Sequence, residues 1–417
     1  MDALLGLLAL ACLLLGFATY AHFEPAARAP VLAAFALRAS AALWHAFVAP
    51  LPDSHADAVM FAESARHGFE AGLAQWLIDF TTGAFLYPWV ISGLYLLAAP
   101  SELLAQSVNV GLGTLAVALT FHLARRLWGE GAAKAAAWIL ALYPTAILYS
   151  AITLRECFIV VPFLFGLLAV ARWSERQAVA PYWAALGLMT ASTILHTAFV
   201  AGVMALGLLA AASLAAAMLR ANPVGFARSL LALGPFLGGA AFMLATGSGL
   251  EKLGDLEDFG LDKVQEQIEY VSRERPASYL EGLTVASWGD LVLQLPVRLL
   301  YFIGAPFPWM VSRAVDVMAL LDALACLALF ALGLVAVRRH LASAKVRSLA
   351  LVLALVLALF AVATSNFGTA VRHRGKLVPL LVVLAVGLAV PRAPRPAAPP
   401  PLPGALPPSS PLTRRLP

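Results

Sequence analysis

Apolar residues in this chain come in long unbroken runs rather than in the short alternating or amphipathic blocks of a soluble domain. A helix crosses the hydrocarbon layer of a bilayer with about 17–25 apolar residues. Runs of that kind lie near 3–20, 31–50, 103–124, 135–154, 157–172, 181–196, 200–219, 229–247, 317–337, 348–364 and 377–390, the shorter ones lengthening by a turn at either end. The pattern therefore predicts an all-α, polytopic transmembrane bundle of about 11 spans. Lysine and arginine in the short connections orient such a bundle, because they stay on the cytoplasmic side. Arg28, then Arg125, Arg126 and Lys134, then Arg172 and Arg176, then Arg220 and Arg228, then Arg338, Arg339, Lys345 and Arg347 all fall on one side, which places the amino terminus outside and the carboxyl terminus inside.

Two connections on the opposite, external side are long, 51–102 and 248–316. The segment 83–99 (GAFLYPWVISGLYLLAA) is apolar, but counting it as a crossing would move Arg125 and Arg126 outside. It is read as a juxtamembrane or re-entrant helix with Tyr87, Trp89 and Tyr95 at the interface, and 296–312, with three prolines and an aromatic cluster, is read the same way. Within the second loop Leu261, Val264, Ile268 and Val271 share one helical face, the signature of a helix lying on the bilayer surface. The Pro-rich stretch 391–417 cannot bury a core and is expected to be a disordered cytoplasmic tail behind a single membrane domain, 1–390. No internal repeat of the transporter kind is visible.

Composition narrows the function classes. Hydrophobic residues make up 61% of the chain and charged residues 12%, against roughly 25% charged in soluble domains. That excludes a soluble enzyme, a disordered protein and a nucleic-acid binder, and the net charge of +5 arises mostly from the short loops. Cys12, Cys157 and Cys326 fall in or beside apolar runs without metal-ligand spacing or a disulfide framework, so each is expected to be a packed thiol. Asp2 stands where a signal peptide would carry basic residues, so the first run is read as a retained helix.

Three places carry candidate chemistry. Arg372, His373, Arg374 and Lys376 form a basic cluster at the head of the last run, on the side the other loops mark as external. Guanidinium groups at that depth suit a lipid-linked phosphate, since they are always charged and bind oxygens in pairs; the plain alternative is that the last span runs the other way and the cluster is a cytoplasmic anchor. Asp53 and Asp57 in PDSHADAVMFAESA are four apart, so one helical turn would put both carboxylates on a common face, with His55 and Glu63 close by. Such a pair deprotonates a hydroxyl or holds a divalent cation through oxygen ligands, or else only solvates a loop and caps its helix. Arg155 and Glu156 occupy a tight external turn, as a functional pair or as a turn cap. Arg38 and Asp322 sit within spans and are expected to neutralise partners in the bundle interior, while His196, His122 and His340 are read as packed or structural.

These residues resemble a family. Asp57, Phe61 and Ala65 fit D-x-x-x-[YF]-x-x-x-A, the first-loop motif of polytopic glycosyltransferases with the GT-C fold, which include bacterial relatives of protein mannosyltransferases and of the aminoarabinose lipid A transferase. The block 87–156, from YPWVISG through RRLWGE to TLRE, is similar to that family as well, as are APFPW at 305–309 and NFGTAVRHRGKLVPLL at 366–381. The family's DE pair is absent, because Ala58 follows Asp57, which leaves a divalent cation at Asp53, Asp57 and Glu156 an open question. The resemblance implies transfer of a sugar from a polyprenyl-phosphate donor to a glycan, lipid or protein acceptor on the outer face of a bacterial inner membrane. It implies Asp57 as catalytic base with Asp53 as its substitute or a second acid, and Glu156 positioning acceptor or metal. Arg372 and Arg374, within the cluster that includes His373 and Lys376, would hold the phosphate, with Arg155 beside them. Two rival readings are a lipid-linked oligosaccharide polymerase or ligase, which would act on diphosphate donors, and a non-enzymatic flippase or transporter of the lipid carrier.

Overall fold

The computed structural model describes residues 2–246, 265, 278–280 and 283–391. The predicted surface helix through Leu261, Val264, Ile268 and Val271, and all of the Pro-rich tail beyond residue 391, lie outside the described residues. Within them the chain is helical throughout, with one isolated antiparallel bridge between Ser278 and Asn366. In order the helices are α1 (Asp2–Phe23), α2 (Arg28–Phe47), α3 (Asp57–Glu70), α4 (Gly72–Ile78), α5 (Leu86–Ala98), α6 (Glu102–Trp128), α7 (Glu130–Ala141) and α8 (Pro144–Leu148). They continue with α9 (Glu156–Arg176), α10 (Val179–Leu195), α11 (Val200–Leu219), α12 (Pro223–Thr246), α13 (Trp288–Gly304), α14 (Ala314–Arg339), α15 (Ala344–Ala363) and α16 (Phe367–Ala385).

Seven helices, α1, α2, α6, α9, α11, α14 and α15, are long and apolar enough to cross a membrane. The chain is thus a helical membrane protein, but among the described residues fewer of its helices meet that standard than the 11 runs read from the sequence. Helix α10 is apolar but has only 17 residues. Helix α16 starts at Phe367, well before the apolar run at 377, and so takes Arg372, Arg374 and Lys376 into its own barrel. The predicted span 135–154 is not one helix.

Pro144 causes that last break. Proline has no N–H to donate and forces the residue before it out of the helical region; Tyr143 is extended, at φ −69° and ψ 117°. The carbonyls at the end of α7 then lack helical partners, and Arg38 of α2 takes them up. Its Nη1 donates to Ala141 O at 3.2 Å and its Nη2 to Leu140 O at 3.3 Å. A cation at a helix C-terminus is favourably placed against the backbone dipole. Arg38, 1% exposed, therefore meets carbonyl oxygens rather than the acidic partner expected of it.

The chain between α8 and α9 is irregular yet buried from Ser150 to Leu154. Non-helical backbone at such depth needs side-chain partners. Asn109, in the second turn of α6, supplies them by donating its Nδ2 to Ile152 O at 2.6 Å and to Leu154 O at 2.8 Å.

Helices α6 and α9 form the centre of the bundle, with 83% and 78% of their apolar windows buried, whereas α1 is 11% buried and keeps most of its surface outward. Its Cys12 is accordingly exposed, against expectation, while Cys157 and Cys326 are buried. The helix ends at one pole are tied by ion pairs: Arg125 to Glu24 at 2.8 Å, Lys345 to Glu175 at 3.1 Å, and Arg126 to Glu175. At the other pole lie α3 and the first turns of α9 and α16, joined by the ion pairs described below. There α5 packs on α3 and buries Tyr87 and Tyr95, so these two rings fill the protein interior rather than the expected interface. Trp89 is half-buried and stacks on Trp76 at 4.4 Å, each indole N–H donating to the other residue's carbonyl.

Candidate active site

Both candidate carboxylates on helices stand at helix N-termini. Asp57 is the first residue of α3 and Glu156 the first of α9, where the exposed N–H groups and the helix dipole favour negative charge. Asp53 does not share a helix with Asp57. It occupies the preceding turn at φ 60°, a left-handed conformation that aspartate tolerates better than most residues. Ala56, directly before Asp57, is held at φ 49°, a conformation costly for a residue with a Cβ. The turn thus delivers both carboxylates by local backbone distortion, not by the helical spacing of four.

Arg372 lies among these acids. Its Nη1 is 2.6 Å from Asp57 Oδ2, its Nη2 is 3.2 Å from Glu156 Oε1 and its Nε is 3.9 Å from Asp53 Oδ2. One turn further along α16, Lys376 Nζ lies 3.6 Å from the same Glu156 oxygen. Exposure falls steeply through the group: the side chains of Asp53 and Asp57 are 44% and 46% exposed, Arg372 19%, Glu156 6% and Lys376 2%. The site is a funnel, with two carboxylates at the mouth, a guanidinium in the throat and a buried ion pair at the floor. Partial burial pushes the Asp53 carboxyl above its ordinary range, Arg372 pulls it back, and a hydrogen bond with Tyr149 stabilises its charged form.

Helix geometry sorts the basic cluster. At 100° per residue, Arg372 and Lys376 share a face while Arg374 points to the opposite side. Arg374 is fully buried and its guanidinium is held there by protein partners. Nε and Nη2 donate to Asp322 Oδ2 at 3.2 and 3.0 Å, and Nη1 donates to the carbonyls of Phe302 and Ile303 at 3.1 and 3.2 Å. Asp322 in turn accepts from Thr145 Oγ1 at 2.8 Å. Arg374 is the partner expected for Asp322, and the phosphate-holding role read for Arg374 is corrected: it is buried against Asp322 and backbone carbonyls, away from the open mouth.

His373 and Arg155 are also drawn elsewhere. His373 Nδ1 meets Thr364 Oγ1 at 3.1 Å, its Nε2 meets His196 Nε2 at 3.4 Å, and its ring packs 4.8 Å from that of Phe360. Arg155 donates Nη1 to Leu195 O at 2.8 Å, and burial lowers its pKa. His55 and Glu63 enter none of the ion pairs of the funnel. Among the described residues no three His, Cys, Asp or Glu side chains form a metal-ligand group. Asp53, Asp57 and Glu156, left open above as ligands of a divalent ion, converge on the guanidinium of Arg372.

Sequence reading missed Tyr149 and Asn109, which shape the loop and the mouth of the funnel. Pro144 inside an apolar run was the available signal that the chain departs from helix here. No protein-family model matches the chain, and no curated protein matches it.

Proposed function

We propose that the funnel is the active site of a membrane glycosyltransferase that moves a sugar from a polyprenyl-phosphate donor to a hydroxyl-bearing envelope acceptor. The observation that supports it is the meeting of Asp57 and Arg372, 315 residues apart, at 2.6 Å on one open surface. The reaction needs a base for the acceptor hydroxyl and a fixed cation for the departing phosphate. In the proposed step the acceptor O–H loses its proton to Asp57 and its oxygen bonds to the anomeric carbon. The bond from that carbon to the phosphate oxygen breaks, and the phosphate leaves with the electron pair, held by Arg372 with Lys376 behind it.

Arg372 binds Asp57 before the donor arrives, so the phosphate competes with Asp57 for the guanidinium. That exchange frees the carboxylate to act as base. Glu156 keeps Arg372 and Lys376 oriented toward the mouth. The GT-C resemblance, about 11 crossings, an external site and a bacterial inner membrane belong to this reading; its orientation rests on the lysines and arginines of the opposite pole.

The test incubates the purified protein with a polyprenyl-phosphate sugar, with and without acceptor, and measures free lipid phosphate. Release that depends on acceptor and disappears in Asp57→Asn is expected. Turnover retained in Asp57→Asn removes the base assignment. Activity on a diphosphate donor alone, or passage of intact lipid-linked sugar across a vesicle, sinks the transferase reading in favour of the polymerase or transporter.

A further inference from the structure

A cavity of about 40 Å³ lies inside the bundle, directly beneath the funnel. Its wall includes Glu156 from the funnel floor, Arg38 from α2, Ser150 and Tyr149 from the end of α8 and the loop after it, and Gly113 from α6. Both of its charged side chains are incompletely bonded. Glu156 Oε1 receives both Arg372 and Lys376, but Oε2 is buried without a hydrogen-bond partner. Arg38 gives its Nη groups to the broken end of α7, but its Nε is buried without a partner.

One orphan is an acceptor and the other a donor, and each belongs to a charged group. Leaving such atoms unpaired in an apolar interior is costly. A cavity needs roughly 10–15 Å³ to hold one water, so this one has room for ordered water. Space is also kept at the right point. A side chain at Gly113 would collide with Ser150 Oγ and come within 3.1 Å of Arg38 Nε.

We propose that this cavity holds a short chain of ordered water that accepts from Arg38 Nε and donates to Glu156 Oε2. The chain links the deeply buried arginine to the floor of the outer site and satisfies both orphaned atoms at once. Arg38 thereby serves two clients: the carbonyls exposed by Pro144, and through water the carboxylate that holds Arg372 and Lys376. This hydrated link stands whatever reaction the outer face performs.

A structure of the intact protein in a lipid nanodisc, at a resolution that shows ordered water, tests the proposal directly. Density bridging Arg38 Nε and Glu156 Oε2 is expected; a dry cavity, hydrocarbon density or a bound halide there overturns it. A thermal double-mutant cycle gives an independent reading. With a water bridge, the Tm loss caused by Glu156→Gln shrinks when Arg38 is already Met; additive losses argue against a link. Should Arg38→Met not fold, Ala116→Leu, which extends a side chain from the cavity wall, replaces it in the cycle. The Tm loss from Glu156→Gln should again shrink in that background, and an unchanged loss again counts against the bridge.

Discussion

Arg372 and Arg374 are two residues apart on one helix and have opposite fates. Arg374 faces inward, is fully buried, and spends its donors on Asp322 and the carbonyls that end α13. Arg372 faces a partly solvated funnel and is shared among three carboxylates, two of them more than 40% exposed. The first arrangement is sealed from solvent, and its partners cannot retreat into water. In the second, a ligand that replaces an exposed carboxylate leaves that carboxylate hydrated. Cation identity does not separate the sealed arginine from the partly solvated one here; the freedom of their partners does.

The sharpest way to break this comparison is at Arg374. Removing one member of a buried ion pair strands the other, at a cost of about 3–5 kcal/mol. Arg374→Ala is expected to lose most of its folded yield in size-exclusion and thermal assays. The joint change Arg374→Met with Asp322→Leu, which removes both charges, should recover a substantial part. If Arg374→Ala behaves like wild type, the inner pair is not structural.

At the mouth the loss should fall on turnover. General-base removal lowers rates by about 10²–10⁴-fold, so Asp57→Asn should cut the proposed transfer by that range with an unchanged melting temperature. Arg372→Lys keeps a charge and loses the planar fork. Apparent donor affinity should weaken about tenfold, equivalent to ~1.4 kcal/mol, with little change in folded yield.

The pH dependence of activity tests Asp53. Burial raises Asp53 above its ordinary 3.8, so it is neutral, and cannot accept a proton, until pH climbs past its raised value. Were Asp53 the base, activity would rise with pH through that window and Asp53→Asn would abolish transfer; transfer retained in Asp53→Asn excludes it as the base. The same shift means that folding favours the protonated form. Asp53's contribution to stability is thus fullest at low pH and declines as pH rises from its unfolded toward its folded value.

The smallest expected effect is at the start of α16. Asn366 Oδ1 accepts from the N–H groups of Gly368 and Thr369 at 2.8 and 3.2 Å, and loss of such a cap costs about 1 kcal/mol. Asn366→Ala should lower the melting temperature by a few degrees and leave donor affinity within twofold, as a cap outside both charge clusters would.

Much of this was legible in the chain. Apolar runs announced nearly every long helix, because length and hydropathy are local properties. The helical period of Arg372, Arg374 and Lys376 already separated one from the other two, although their clustering in sequence invited a single role for all. The turn at Asp53 was not legible as such: a spacing of four reads as one helical turn unless the backbone is strained, and the strain at Ala56 exists only in the folded structure. Arg38 looked like half of an ion pair, since the carbonyls it binds become acceptors only when Pro144 interrupts a distant helix.

Sequence by itself determined that this is a helical membrane protein and which residues could carry charge at its surface, since both follow from composition and short-range periodicity. Tertiary structure alone decided which charges meet. Asp57, Glu156 and Arg372 come from three separate helices, and no local rule sets the packing that brings them together. Whether a guanidinium stays available or is consumed depends on what the neighbouring helices place against it.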